Sequence, residues 1–316
     1  MKAYIVLITL TVLFPVALAQ MVADDYELTN RTQGILQQAR TAIGATSPLQ
    51  SLSVKGTVRR QVKYVEVSSP TEVEEKEKTL TSKLRVEFQF PDKFRVREQG
   101  SQVNGQGYEL LAIVNNSEAW IYPQPIVPST PENRRVVSVE DAEQNLIRQA
   151  QTARTNVSRF TVGLLLTAAP SIPLEFTYAG RITSEVGTND VLTVREAEGY
   201  KFLLLLDPQT HLPTMLNETV VMSQRVTVIP TGLGFDRRYN RAIFTRAREE
   251  RLARSKPPHA VSVQMRLSDR RTVGGLNLPH RIKTYYNGQL VEEIEFDEFT
   301  FNRPINPKKF EENRPR

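Results

Sequence analysis

Long segments of alternating apolar and polar residues run through this chain, and they restrict its fold to one built on an antiparallel sheet. Leu84, Val86, Phe88 and Phe90 alternate with charged or amide side chains. This is the period-2 pattern of a strand with one face toward solvent. Residues 261–267 repeat it, so the sequence predicts several half-buried strands.

A tight hairpin is predicted at Asn287-Gly288, a dipeptide typical of type I′ turns, which lies between apolar segments at 282–286 and 290–301. Shorter apolar segments bounded by turn residues predict the remaining strands. These are Leu52–Val65, Glu109–Val114, Ala119–Tyr122, Leu174–Arg181, Val191–Glu196, Tyr200–Leu206 and Thr214–Val228.

One strand has an irregular pattern. Ile294 and Phe296 share one parity, whereas Phe299 and Phe301 have the other. A β-bulge near Asp297-Glu298 inserts one residue and places all four side chains on the same face. We therefore predict a bulge at this position.

Helices are predicted at 26–43, from Ser138 to 153, and at 160–169, with a break at 156–158 between the last two. Residues 237–254 have few apolar positions and are interpreted as a solvated excursion from the sheet. The fold class is therefore mainly β (α+β). It consists of one large curved antiparallel sheet, an incomplete β-barrel, closed by helices.

The first 19 residues have the layout of a secretory signal peptide, with Lys2, an apolar run and a small-x-small site ending at Ala19. The alternative is a membrane anchor, but the run Ala3–Val16 is shorter than the ~20 residues that a spanning helix needs. We predict cleavage after Ala19. A single domain is then expected over 20–316, with a basic insertion at about 232–258.

Composition excludes several classes of site. The 316 residues include no cysteine, so disulfides, thiolate metal sites, cysteine nucleophiles and a lipid-modified N-terminal cysteine are ruled out. A net charge of +6 is too small to indicate nucleic-acid binding. The three histidines have no metal-ligand spacing, and the common nucleophile and phosphate-loop motifs do not occur. No metal, cofactor or enzymatic activity is predicted.

Charge is distributed unevenly along the chain. Residues 70–78 are acidic, whereas the insertion at 232–258 is strongly basic. Clustered arginines attract anionic lipid headgroups or an acidic partner, although most such runs are simply solvated. The candidate contact residues are Arg237, Arg238, Arg241, Arg246, Arg248, Arg251 and Arg254.

Four motifs occur in a particular order along the chain. They are Phe90-Pro91-Asp92-Lys93-Phe94, Asn115-Asn116-Ser117-Glu118-Ala119-Trp120-Ile121-Tyr122, Leu206-Asp207-Pro208-Gln209-Thr210-His211-Leu212-Pro213, and Gly275-Leu276-Asn277-Leu278-Pro279-His280. In this order, and across roughly Ala39 to Phe310, the chain resembles the LolA/LolB-like periplasmic lipoprotein-carrier superfamily.

That resemblance implies an incomplete barrel whose concave apolar interior holds acyl chains. The candidate lining residues are Phe88, Phe90, Phe94, Trp120 and Tyr122. The alternative is that these aromatic residues form an ordinary packed core. LolA carriers have an arginine before the motif proline that bonds the helical lid shut. Here the position is Phe90, so that lock is missing.

The sequence thus predicts a periplasmic, non-enzymatic carrier or binding protein for an acylated lipoprotein or lipid. The alternative is an envelope regulatory or scaffolding protein that senses lipoproteins and docks a protein partner. In that case, the arginine-rich insertion is the docking surface.

Overall fold

The computed structural model of the protein describes residues 27–45, 49–122, 139–184, 187–196, 200–224 and 226–314. The predicted signal peptide and the predicted helix start at Ser138 lie outside these ranges. The strands are β1 (Ser51–Val67), β2 (Val73–Gln89), β3 (Lys93–Ser101), β4 (Gly107–Asn115), β5 (Glu118–Tyr122), β6 (Leu174–Ser184), β7 (Gly187–Glu196), β8 (Lys201–Leu206), β9 (Pro213–Gln224), β10 (Thr227–Pro230), β11 (Lys256–Val273), β12 (Leu276–Tyr286) and β13 (Gln289–Phe301). The helices are α1 (27–43), α2 (Val139–Leu165), α3 (Arg237–Arg254) and a short 3-10 helix (Pro307–Glu311).

All thirteen strands belong to one sheet, in the order β5-β4-β3-β2-β1-β13-β12-β11-β9-β8-β7-β6. Neighbours in this order are antiparallel, and β10 pairs in parallel with the end of β1. The two edge strands, β5 and β6, do not pair with each other, so the sheet is open and is not a closed barrel. The predicted fold class, a single large antiparallel sheet with helices, is confirmed.

The predicted bulge in β13 is also confirmed. Lys55 of β1 pairs with Glu298, whereas the next residue, Gly56, pairs with Phe296, which leaves Asp297 as the extra residue. A Cβ at Gly56 would lie 2.2 Å from the carbonyl oxygen of Glu295, so this close approach requires glycine. The predicted type I′ turn is present as well, since Asn287 and Gly288 have φ values of 47° and 81°.

Strand β2 is longer than its apolar pattern indicates. It begins at Val73 and pairs with β1 along its whole length, although its first half is rich in glutamate and lysine. Cross-strand charge pairs support this part of the hairpin. Lys76 Nζ lies 2.6 Å from Glu66 Oε2, and this contact holds the pKa of the Glu66 carboxyl below its ordinary value.

The inner face of the sheet, which carries Val54, Val86 and Phe94, is the face covered by α1 and α2. Both helices bury apolar residues against it, including Leu36 and Ile43 of α1. The largest hydrophobic cluster of the described chain lies between these helices and the sheet. Most of the interior beneath the two helices is therefore filled by the chain's own side chains.

Helix α2 is continuous, so the predicted break at 156–158 was wrong. Ser158 Oγ donates to the carbonyl of Arg154 at 3.2 Å, and Thr161 Oγ1 donates to that of Val157 at 2.9 Å. These hydroxyls bond to the preceding turn of the helix and do not interrupt it. Val157 and Val162 are both buried, and this tertiary packing overrides the weak local helix propensity.

The outer face of β3–β5 is covered by the C-terminal segment 303–314, here called the C-terminal strap. Phe310 on the strap is fully buried against Leu111, Ile113 and Trp120. Trp120 Nε1 donates to the carbonyl of Glu312 at 3.0 Å. The strap is therefore an integral part of the packed structure.

Four charged side chains, two on the sheet and two on the strap, form ion pairs that hold the strap against the sheet. Arg95 Nη1 lies 2.9 Å from Glu87 Oε2, and both side chains are buried. From the strap, Lys309 Nζ lies 2.8 Å from Glu87, and Glu312 Oε2 lies 2.7 Å from Arg95. Burial would raise the pKa of Glu87, but these cations outweigh it, and the net pKa lies below the ordinary value.

The basic insertion contains strand β10 and helix α3. Residues 237–254 were interpreted as a solvated excursion, but they form a helix capped by Asp236, whose carboxylate accepts from Arg238 N at 2.8 Å. Ile243 and Ala247 are buried against Val228 of β10 and the end of β1. These two apolar residues lie one helical turn apart and pack the helix against the sheet, although most of its surface is exposed.

Candidate functional site

The structure brings together three of the five aromatic residues predicted to line a ligand site. The rings of Phe88 and Phe90 stack at 5.8 Å, and Phe94 meets Phe88 edge-on at 4.9 Å. Phe88 and Phe94 are each 2% exposed and belong to the main core beneath the helices. This placement agrees with the core alternative for these two residues, whereas Phe90 is only half-buried.

Trp120 and Tyr122 lie elsewhere. Trp120 is buried on the outer face beneath the C-terminal strap, and Tyr122 is 45% exposed at the end of the edge strand β5. The five aromatic side chains therefore do not line a single surface. The sequence prediction grouped them by motif, but the period-2 alternation of β4 and β5 directs Trp120 away from the inner face.

Phe90 lines a cleft of about 460 Å³ at the end of the sheet where α1 and α2 finish. Its other walls include Leu49, Leu165 and Leu166, with Arg40 at the rim. Arg40 Nε donates to the carbonyl of Leu166 at 3.2 Å and so ties α1 to the end of α2. Phe90 replaces the arginine that would precede Pro91 in the resemblance described above. The structure nevertheless has an arginine that contacts a helix end, and this arginine is Arg40 of α1.

A larger cleft of about 630 Å³ opens at the other end of the inner face, beyond the part that the helices cover. Its walls are formed by β1–β4 on one side and by β10 on the other, and we call it the β10 cleft. Val62, Leu80 and Leu110 project from the sheet, and Ile229 and Pro230 face them from β10. The remaining lining residues are Arg60, Ser82, Glu98, Gln102, Val103, Asn104, Tyr108, Glu109, Thr227 and Val228.

The floor of the β10 cleft is a buried polar cluster centred on Glu98. Both carboxylate oxygens of Glu98 are bonded by Arg60, with one distance of 2.8 Å to Nη2. Ser82 Oγ donates to the same carboxylate at 2.6 Å, and the Tyr108 hydroxyl also donates to it. Arg60 Nε in turn lies 2.6 Å from Glu292 Oε2. The single guanidinium of Arg60 therefore contacts both carboxylates of the cluster, Glu98 and Glu292.

Burial would raise the pKa of Glu98, but the hydrogen bonds and charge of Arg60 outweigh it, and the net pKa lies below the ordinary value of 4.5. The same cluster holds the pKa of Arg60 above its ordinary value. A carboxylate that is ionised and fully hydrogen-bonded is a poor proton acceptor, so the cluster is suited to shape a polar floor and not to acid–base chemistry.

The lowered pKa of Glu98 predicts acid sensitivity. Because its pKa is lower in the folded than in the unfolded protein, the stabilisation is complete above about pH 4.5 and is lost as the pH falls through the folded-state value. We expect the free energy of unfolding, measured by urea titration, to decrease as the pH is lowered through this range. Glu98→Gln should show a shallower decrease than the wild type. Parallel curves for the two proteins would contradict the assignment.

A second polar group lies nearby on the inner face. Arg159 of α2 donates to the Tyr200 hydroxyl at 3.0 Å and to Glu218. Burial raises the pKa of Tyr200, so the phenol remains protonated at neutral pH. No group of three or more histidine, aspartate or glutamate side chains in the described ranges is arranged to hold a metal ion.

The structure divides the seven candidate arginines of α3 into three sets. Arg246 and Arg254 form ion pairs with Glu250, at 2.6 and 2.7 Å, and Arg254 also contacts Glu75 of the acidic hairpin. The basic and acidic stretches of the sequence therefore meet within the molecule. Arg251 only approaches a backbone carbonyl, at 3.5 Å. The other four, Arg237, Arg238, Arg241 and Arg248, are exposed.

The β10 cleft was missed by reasoning from the sequence. The sequence does contain a signal for this cleft. A charged residue occupies an inward-facing position in a strand whose other inward-facing positions are apolar. Arg60 follows Val54 and Val58 at the same parity, and Glu98 follows Phe94 and Val96 in the same way. A charge on the buried parity of a strand indicates either a partner or a cleft.

No protein-family model matches this sequence, and no curated protein matches it. The solved structures that are similar include the following three. The LolA superfamily protein from Nitrosomonas europaea has 12% identity and a TM-score of 0.43, and the match covers 88% of this chain and 96% of that one. The putative outer membrane lipoprotein-sorting protein domain from Vibrio parahaemolyticus has 10% identity, a TM-score of 0.44 and the same coverage. A DUF1329 family protein from Desulfovibrio piger has 7% identity and a TM-score of 0.37, covering 89% and 97%.

Among the helices of the described ranges, none has the length and hydropathy needed to cross a bilayer. These three matches each extend over 88–89% of the chain, at 7–12% identity.

Proposed function

We propose that this protein binds an acyl chain of a lipid or lipoprotein in the β10 cleft and carries it through the periplasm without making or breaking a bond. The observation that supports this proposal most directly is the cleft itself. It is an open, concave space of about 630 Å³ with aliphatic walls on two sides. Sites for small molecules have volumes of roughly 300–1,000 Å³ and are mainly apolar with a few placed polar groups.

The physical chemistry of an acyl chain suits these walls. Each methylene removed from water contributes about 0.8 kcal/mol, so a chain gains much of its binding energy from plain aliphatic contact. Val62, Leu80 and Leu110 would contact one side of the chain, and Ile229 the other. The hydrogen-bonded floor around Glu98 would lie next to the ester or amide that ends the chain. Arg60, its one cation, is already engaged by two carboxylates, which favours uncharged polar groups over a charged headgroup.

The proposed location follows from the predicted signal peptide. An exported carrier meets acylated molecules that are insoluble in water, and a cleft that shields the chain makes their transfer possible. Ionised, fully bonded carboxylates in the cleft support binding in preference to catalysis.

Filling the cleft should weaken this binding. In Leu80→Trp/Leu110→Trp, the two indoles would occupy the space between the sheet and β10. Displacing about two methylenes at about 0.8 kcal/mol each weakens binding by roughly 15-fold. The measurement is fluorescence titration of the purified mature protein with cis-parinaric acid, together with mass spectrometry of lipids extracted after purification.

Ile182→Trp is the matched control, since Ile182 is an exposed aliphatic residue on the distant edge strand β6. It should bind the fatty acid like the wild type. Equal affinity of the filled variant and the wild type would refute the proposed site. A lipid-free protein that copurifies with a stable protein partner would instead favour the regulatory alternative.

A further inference from the structure

We infer that α3 and the loop before it form a surface that docks onto an anionic lipid bilayer. This inference goes beyond the proposed function, because docking does not require that the β10 cleft bind an acyl chain. It rests on the arrangement of charge and apolar side chains on one exposed face of the helix.

The exposed face of α3 is basic along its length. Arg237, Arg241, Phe244 and Arg248 follow one another at intervals of four, three and four residues, so they lie along one side of the helix. The side chains of these three arginines are exposed and form no ion pair within the described ranges. Leu252 continues the same line and is 70% exposed.

The acidic residues of the helix lie apart from this line. Glu249 and Glu250 are engaged by Arg246, and Glu250 is also bonded by Arg254. No carboxylate of α3 therefore neutralises the exposed arginines. Asp236, the N-cap, is the one acidic residue of the loop before the helix, so the face keeps an excess of positive charge, which is complementary to an anionic surface.

Apolar side chains project from the same region. Phe235, immediately before the helix, is fully exposed, and Leu233 and Phe244 are about half exposed. Exposed phenylalanine and leucine next to arginine are typical of helices that lie in the headgroup region of a bilayer, where the apolar groups enter the acyl boundary. The core of a protein–protein interface is instead depleted of charge, whereas here arginine alternates with apolar residues. These features favour a membrane over a protein partner.

The docking face is one strand away from the β10 cleft. Val228 of β10 packs against the buried side of α3, and the next residues, Ile229 and Pro230, form a wall of the cleft. A docked α3 would therefore hold the cleft one helix and one strand away from the lipid headgroups. Transfer of an acyl chain between bilayer and cleft would also require that the proposed function is correct.

The test is co-sedimentation of the mature protein with vesicles of equal parts phosphatidylglycerol and phosphatidylcholine, compared with pure phosphatidylcholine. We expect binding to the anionic vesicles only, weakening as salt is added. Arg241→Gln/Arg248→Gln should reduce the partition coefficient by roughly 10- to 30-fold, because each arginine near an anionic surface contributes about 1 kcal/mol. Phe235→Ser should reduce it by roughly tenfold.

Matched control variants remove the same kinds of side chain from other parts of the protein surface. Arg195→Gln/Lys201→Gln deletes two exposed cations on β7 and β8, and Val221→Ser deletes an exposed apolar side chain on β9. Both should bind vesicles like the wild type. Equal binding to neutral vesicles, or equal loss in the controls, would overturn the inference. So would self-association in ultracentrifugation that Arg241→Gln/Arg248→Gln abolishes, since the occupant would then be a second copy of the chain.

Failure of docking and failure of the proposed function give different results. The α3 variants should keep the wild-type affinity for cis-parinaric acid, and Leu80→Trp/Leu110→Trp should keep vesicle binding. If the wild type bound vesicles but did not bind cis-parinaric acid, the proposed function would be wrong and the docking inference would stand.

Discussion

Replacing Phe310 with alanine is expected to lower the free energy of unfolding by about 3–5 kcal/mol, the usual range for removing a buried phenyl ring. Phe310 is 0% exposed, and its ring is packed against Leu111, Ile113 and Trp120 on the outer face of the sheet. The ring is surrounded by large side chains that are fixed on the sheet, so its removal leaves a cavity. Urea unfolding followed by the fluorescence of Trp120, the only tryptophan, measures this change directly.

Phe235→Ala is the matched control, because it removes the same ring from a fully exposed position. Its free energy of unfolding should stay within about 0.5 kcal/mol of the wild type. A similarly small effect for Phe310→Ala would mean that the strap does not contribute to global stability.

Replacing Arg95 with methionine is expected to destabilise the protein by about 3 kcal/mol, at the low end for breaking a buried ion pair. The loss arises because Glu87, which is 1% exposed, would keep its charge without its buried partner. Lys309 and Arg85 still contact Glu87 and limit the effect. Chemical unfolding at neutral pH is the measurement.

The double variant Glu87→Leu/Arg95→Met tests the cause. Because it removes both buried charges, it should recover most of the lost stability. Lys309→Ala removes only a partly exposed partner and should cost less than about 1 kcal/mol. If the double variant were as unstable as the sum of its two single variants, the stabilisation would not come from the pairing of these charges.

The sequence predicted features that depend on neighbours along the chain. The bulge at Asp297 was predictable because the parity of four apolar residues changes within a single strand. The Asn287-Gly288 turn was predictable because two adjacent residues with positive φ need this chemistry. Both features were inferred from local patterns and required no knowledge of tertiary contacts.

Features that depend on pairing between distant segments were not predictable. The first half of β2 lacks apolar alternation and is a strand because β1 extends beside it as far as Val67. The β10 cleft brings Arg60 of β1 beside Glu98 of β3, and only the register of the intervening strand shows that they meet. The cover of Trp120 on the outer face was not predictable either, because the strap that packs on it comes almost two hundred residues later.

The pairing of β1 with β13 has a consequence for how the protein matures. Leu52 pairs with Phe301, so the first and last strands of the sheet are neighbours near its middle. Pairings between such distant segments form slowly, because the entropy cost of closing a long loop comes before any stabilising contact is made. The antiparallel pairing of β1 with β13 cannot form until synthesis has reached the final strand. We expect the growing polypeptide to keep the facing edge of β1 largely unpaired until then, and such an edge is a template for pairing with other chains.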